Sequence, residues 1–224
     1  MAPVWHPAPT AAGRGRPGRG AAAHRGTACP PVVVGGRCDT GGVTTTTTYI
    51  AFLRAINVGG RTVRMERLRA LFAELELGDV RSYIQSGNVF FTTAEPDRAA
   101  LTRRIEEHLE RSLGYPVPVM LRTVDEVAEL LAAEPFRGVA VTPDVRLVVA
   151  FLSEPLPDGL ARPHRSAKGD IEVLGADPGA AYVVVHLRDG RWVTKEMFGK
   201  EYRGSVTSRF LHTTEKILAA ARRA

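Results

Sequence analysis

Cysteine is nearly absent: the 224 residues hold two, Cys29 and Cys38. A disulfide framework needs more. A zinc site needs about four ligands, which His24 and two loosely spaced thiols do not supply, so no metal site and no cofactor is expected. The remainder of the chain has no cysteine, which fits a reducing cytoplasm. Long apolar runs are missing as well. The longest clear one, Leu147 to Leu152, suits a buried strand and falls far short of the roughly 18 residues of a membrane span. No G-x-S-x-G elbow, H-E-x-x-H helix, Walker loop or Rossmann G-x-G-x-x-G occurs. Gly190-Arg191-Trp192-Val193-Thr194-Lys195 lacks the second glycine of a phosphate loop.

Acidic residues are scarce only at the start. Of 30 basic and 24 acidic residues, five and one lie in residues 1–48, leaving 25 against 23 in the remainder. A pI near 9.7 that arises mostly from a tail is a poor argument for a nucleic-acid surface. Residues 1–48 are rich in Ala, Gly, Pro, Arg and Thr, and cannot bury enough apolar surface to offset chain entropy. They are expected to be either a disordered tail or not translated, with a start at Val43. Intact mass of the native protein separates the two.

What is present from residue 49 on is an alternation of short apolar runs and helical stripes. Tyr49–Leu53 reads as a strand. Thr62 is placed to cap a helix with Met65, Leu68, Leu71, Phe72 and Leu75 on one stripe, ending at Gly78. Val80–Ile84 and Val89–Thr93 read as strands joined at Ser86-Gly87. A helix runs from Asp97 to Gly114, and Val117–Leu121 is a fourth strand. The order β-α-β-β-α-β is the ferredoxin-like pattern, with sheet order 4-1-3-2. Pro118 then falls in an edge strand, where proline is tolerated. A second, smaller α+β unit follows. Thr123 and Glu126 have capping-box spacing, Arg146–Leu152, Ile171–Leu174 and Tyr182–Leu187 are strands, and a helix spans about 208–221. The expected division is 1–48 tail, 49–122 ferredoxin-like domain and 123–224 second α+β domain, at most a degenerate copy of the first.

In that arrangement the loop after the first strand and the hairpin after the second emerge at the same end, on strands about 10 Å apart. Arg54, Asn57, Gly59 and Gly60 from the loop, the last two at a helix start, and Gln85, Ser86, Gly87 and Asn88 from the hairpin suit a small anion. The plain alternative is that the glycines serve turn geometry and the asparagines cap their own backbones. Ser86 has no base in sequence reach, so no catalytic residue is assigned. His212 and Glu215, one turn apart, do not make a metal site.

The pattern Arg54-Ala55-Ile56-Asn57-Val58-Gly59-Gly60 followed by Tyr83-Ile84-Gln85-Ser86-Gly87-Asn88-Val89 resembles the bacterial domain-of-unknown-function 1697 family. So do Pro135-Phe136, Phe151-Leu152-Ser153-Glu154-Pro155 and Asp189-Gly190 with Thr194-Lys195. The resemblance implies a tandem of ferredoxin-like units and no reaction. It makes Thr194, Lys195 and Arg209 secondary site candidates. Near the end the family pattern resembles T-x-R-N-W-N-T. Thr207, Arg209 and Thr213 keep it, whereas Phe210, Leu211 and His212 depart from it. A function carried by that segment is then altered or lost here.

Three functions follow as expectations. The first is a non-catalytic cytoplasmic protein that binds a small anionic ligand or a protein partner at the 54–60 and 85–88 end. The second is an RNA-binding module that stacks bases on Tyr49, Phe52, Phe90 or Phe91, although Phe90 and Phe91 must face opposite ways. The third is an enzyme of unnamed reaction acting on an anionic substrate.

Overall fold

A computed structural model describes residues 45–60, 62–192 and 197–223. The expectations for Cys29, Cys38, a start at Val43, Thr194 and Lys195 lie outside these residues. Alternation along β1 (Thr47–Leu53) sends Ile50 and Phe52 into one apolar cluster and Tyr49, Ala51 and Leu53 into another. Then come α1 (Met65–Ala73), β2 (Gly78–Ser82), β3 (Asn88–Thr93), α2 (Arg98–Leu113) and β4 (Val119–Thr123). The sheet order is β2-β3-β1-β4, antiparallel throughout, which is the 4-1-3-2 order expected. β1 and β2 therefore run parallel, with β3 between them. α1 and α2 cover one face through Leu68, Leu71, Phe72, Leu101, Ile105 and Leu109. Asp97 caps α2 by accepting from the amides of Ala99 and Ala100, and Gly114 closes it at φ 79°.

Several boundaries differ from expectation. Thr62 caps nothing: α1 starts at Met65, behind Arg64, with no side-chain cap. Gly78 does not end α1. The helix stops at Ala73, Glu76 turns the chain at φ 58°, and Gly78 opens β2. Tyr83 and Ile84 leave β2 for the turn. Pro118 precedes β4, and its carbonyl accepts from the amide of Arg54 at 2.9 Å.

The second half comprises α3 (Val124–Ala132), β5 (Val145–Leu152), α4 (Asp158–Ala161), β6 (His164–Arg165), β7 (Ile171–Ala176), β8 (Ala180–His186), β9 (Val206–Phe210) and α5 (Leu211–Ala221). Its sheet, β6-β7-β8-β5-β9, has five strands, one more than the first, where the sequence suggested the smaller unit. The expected capping box opens α3: Thr123 Oγ1 accepts from the Glu126 amide and a Glu126 oxygen accepts from the Thr123 amide. The final helix is shorter than expected, because residues 206–210 are strand rather than helix.

The two sheets repeat one pattern. The run β7-β8-β5-β9 reproduces β2-β3-β1-β4, and α5 follows β9 as α3 follows β4. The register agrees as well. Phe52 lies opposite Asn88, and Phe151 opposite Ala180. The Leu53 amide donates to Gly87 O and the Leu152 amide to Gly179 O, at 2.8 and 3.0 Å; Arg54 donates to Pro118 O as Ser153 does to Ser205 O. The equivalent residues Phe52 and Phe151 stack with ring centroids 3.6 Å apart. They sit in an apolar cluster that both sheets share with Val127 of α3 and Ile217 of α5. Residues 43–224 form one compact unit, and the division drawn at 122/123 falls at the β4–α3 junction.

Candidate functional site

Each half sends an arginine into the other, from the fourth residue of its last strand. Arg209 of β9 faces the first sheet, beside Val149. Its Nε donates to Asn88 Oδ1 (2.7 Å), Nη1 to Thr207 Oγ1 (2.9 Å) and Ser208 O (2.8 Å), and Nη2 to the carbonyls of Ser86 (2.8 Å), Gly87 (3.3 Å) and Leu53 (3.4 Å). Its guanidinium carbon lies over the Phe52 ring, 5.8 Å from the centroid. Arg122 of β4 does the same in reverse, donating to Leu152 O at 2.6 Å and to Gly179 O. Leu53 and Gly87 in one half match Leu152 and Gly179 in the other.

The two arginines differ in charge environment. Glu126 and Asp177 act favourably on Arg122, and Glu126 is itself paired to Arg98 at 2.8 Å. Burial still lowers the Arg122 pKa as the largest effect. Arg209 is 8% exposed and has no acidic partner among the described residues. Burial alone pushes its guanidinium down to about 10, so it stays charged at neutral pH, held by six acceptors and neutralised by none of them.

Around this arginine the structure gathers some of the expected residues and leaves others apart. Asn57 joins the loop to the hairpin: Nδ2 donates to Gln85 O (2.8 Å) and Oδ1 accepts from the Val63 amide (2.7 Å). Asn88 is fully buried, with Nδ2 on Tyr83 O and Ser86 Oγ and Oδ1 on Arg209. It organises the hairpin and has no polar atom left for a ligand. Gly87 sits at φ 72°, where an added Cβ would lie 3.1 Å from those of Leu53 and Ile56. Arg54 is exposed, and its guanidinium has no partner among the described residues. Gly59 and Gly60 are exposed at positive φ with open space around them. They lie in the loop ahead of Arg64 and not at a helix start, because α1 begins only at Met65. Positive φ also occurs at Ala55, Asn57 and Ile84. At a β-branched residue such as Ile84 it marks strain.

A cleft of about 320 Å³ opens beside the hairpin, lined by Ile84, Ser86, Val148, Trp192, Ser208, Arg209, Phe210 and Thr213. Ile84, Trp192 and Phe210 are among the exposed large apolar side chains, and Trp192 and Phe210 rings approach at 6.5 Å. Sequence reasoning assigned the site neither Ile84 nor Trp192, and singled out Phe210 only as a departure from the family pattern. The available signal for Ile84 was its place directly before the turn residues Gln85-Ser86-Gly87. The departures Phe210, Leu211 and His212 fall at the start of α5, with His212 stacked on Phe210.

The aromatics of the RNA expectation are unavailable. Tyr49, Phe52, Phe90 and Phe91 are all 5% exposed or less. Phe91 faces α1 and α2 and Phe90 faces the second sheet, so the first sheet has no open face. Ser86 Oγ accepts from Asn88, and no base is bonded to it among the described residues. No cluster of three metal-binding side chains occurs among those residues, nor a helix long and apolar enough to cross a membrane.

The family profile described as "Protein of unknown function (DUF1697)" matches residues 46–182. The chain belongs to the DUF1697 family. The matched span ends inside β8, before Trp192, Arg209 and Phe210. A structure of the conserved bacterial protein SP0830 from Streptococcus pneumoniae is similar in fold, with a TM-score of 0.59, 23% identity, and coverage of 80% of this chain and 100% of that one. No curated protein matches.

Proposed function

We propose that this DUF1697 chain is a binding protein for a small anionic ligand, held where the 83–88 hairpin meets β9 and the start of α5. The observation that carries it is the cleft bordered by Arg209, a buried charge with no acid beside it among the described residues. Its N–H groups are taken by protein acceptors, so its pull on a ligand is coulombic. At about 7 Å and an effective dielectric of about 20, a unit negative charge gains about 2 kcal/mol. The positive end of α5 adds in the same sense. The loop bearing Arg54, tied to the hairpin by Asn57, supplies a second, exposed cation at the same end of the sheet.

The test is fluorescence titration of the full chain with 1-anilinonaphthalene-8-sulfonate and with the uncharged N-phenyl-1-naphthylamine. The sulfonate is expected to bind saturably at one site, about thirtyfold tighter than the neutral compound. Thr213→Trp, which fills the cleft, is expected to abolish that binding without unfolding the protein. Equal affinity for the two probes, or unchanged binding to Thr213→Trp, refutes the proposal.

A further inference from the structure

The internal repeat allows one helix start to be compared with its own counterpart. Because Arg122 and Arg209 occupy the same position, Thr123 corresponds to Phe210 and Glu126 to Thr213. At the first place the sequence builds a complete capping box, with Thr123 accepting from the Glu126 amide at 3.1 Å and Glu126 accepting from the Thr123 amide at 2.7 Å. Glu126 also binds Arg98 at 2.8 Å, so its carboxylate is fully engaged within the protein. At the second place Phe210 is the N-cap residue of α5 and makes no side-chain cap. A phenylalanine there leaves first-turn amides without the partner that Ser, Thr, Asp or Asn would supply. It is also 36% exposed, stacked on His212 and tilted at 42° to the Trp192 ring 6.5 Å away. The fold carries a complete cap at the equivalent position of its other half.

Local rules broken in an otherwise consistent fold concentrate at functional positions. Here the broken cap, the strained and exposed Ile84 and the arginine without an acid partner border the same cleft. The lining combines the rings of Trp192 and Phe210 with the apolar Ile84 and Val148 and with the hydroxyl-bearing Ser86, Ser208 and Thr213. Such a slot takes a flat ring by stacking and charges it on the side toward Arg209. We infer that Phe210 is the ligand-selecting residue of this cleft, a helix cap replaced by an aromatic wall, and that with Trp192 it holds a planar aromatic anion. This rests on the cleft being the ligand site proposed above.

The test compares wild type, Phe210→Thr, Phe210→Val and Thr213→Trp. Threonine and valine have nearly the same shape and only threonine caps. Phe210→Thr is therefore expected to melt about 2–4 °C above Phe210→Val, with both losing about tenfold in affinity for 1-anilinonaphthalene-8-sulfonate. Equal melting of the two variants, or wild-type affinity in either, overturns the inference. If Thr213→Trp blocks the probe while the Phe210 variants bind as wild type does, the cleft stands and the role of Phe210 falls. If Thr213→Trp binds as wild type does, the cleft itself falls.

Discussion

Arg209→Met removes the guanidinium, whose carbon lies over the Phe52 ring at 5.8 Å from the centroid, and keeps an unbranched apolar side chain in its place. Six acceptors lose a donor, among them Asn88 Oδ1 on a side chain with no exposed surface. A hydrogen bond from a charged donor contributes about 1.5–3 kcal/mol net, and a buried group left unsatisfied costs about 1–3 kcal/mol. Such terms are not additive, and methionine regains some apolar burial and removes a buried charge. The expected loss is about 4 kcal/mol, a large share of a typical folding stability of about 5–15 kcal/mol. In urea unfolding the midpoint should fall at unchanged slope, and the melting temperature should drop by about 8–16 °C. Arg209→Lys should recover little, since an ammonium cannot fork to acceptors on both sheets. A loss below about 1 kcal/mol for Arg209→Met would refute the view that this arginine clasps the two halves.

Three further outcomes follow from the same geometry. Gly87→Ala combines a positive φ with a Cβ 3.1 Å from two others, and should lose about 2–3 kcal/mol in urea unfolding. Gly179→Ala places a Cβ 2.6 Å from Arg122 Nε, breaking the reciprocal clasp, and about 1–2 kcal/mol should be lost, with a smaller loss if Arg122 is already Met. Glu106 is half-buried, and burial raises its carboxyl pKa against the opposing bond from the Val119 amide. With the folded pKa above the unfolded one, wild-type stability falls as pH rises from the ordinary carboxylate value through the raised one. Glu106→Gln keeps an acceptor for Val119, so its stability should not fall over that pH range; an unchanged pH profile would count against this.

Much of the first half is legible in the sequence because its signals are local. The stripe in α1, the Asp97 and Gly114 caps of α2 and the Ser86-Gly87 turn each follow from a few adjacent residues, and they fix the order β2-β3-β1-β4. β9 is not legible, because its inward face carries Thr207 and Arg209 where an apolar alternation would have announced a strand. The repeat is hidden for the same reason: it lives in register and carbonyl geometry, which tolerate Asn88 in one half and Ala180 in the other. The sequence placed Asn57, Gln85, Ser86, Gly87 and Asn88 together correctly in space. It did not show that Asn88 and Arg209 would satisfy each other, a pairing across 121 positions, nor that Trp192 and Phe210 would border the cleft beside them.

The most direct measurement is an amide and indole NMR titration of the full chain with 1-anilinonaphthalene-8-sulfonate. Shifts are expected only at Ile84, Ser86, the Trp192 indole and residues 208–213, saturating together. Largest shifts at Arg54 to Gly60 alone, or shifts scattered over the surface, would contradict it.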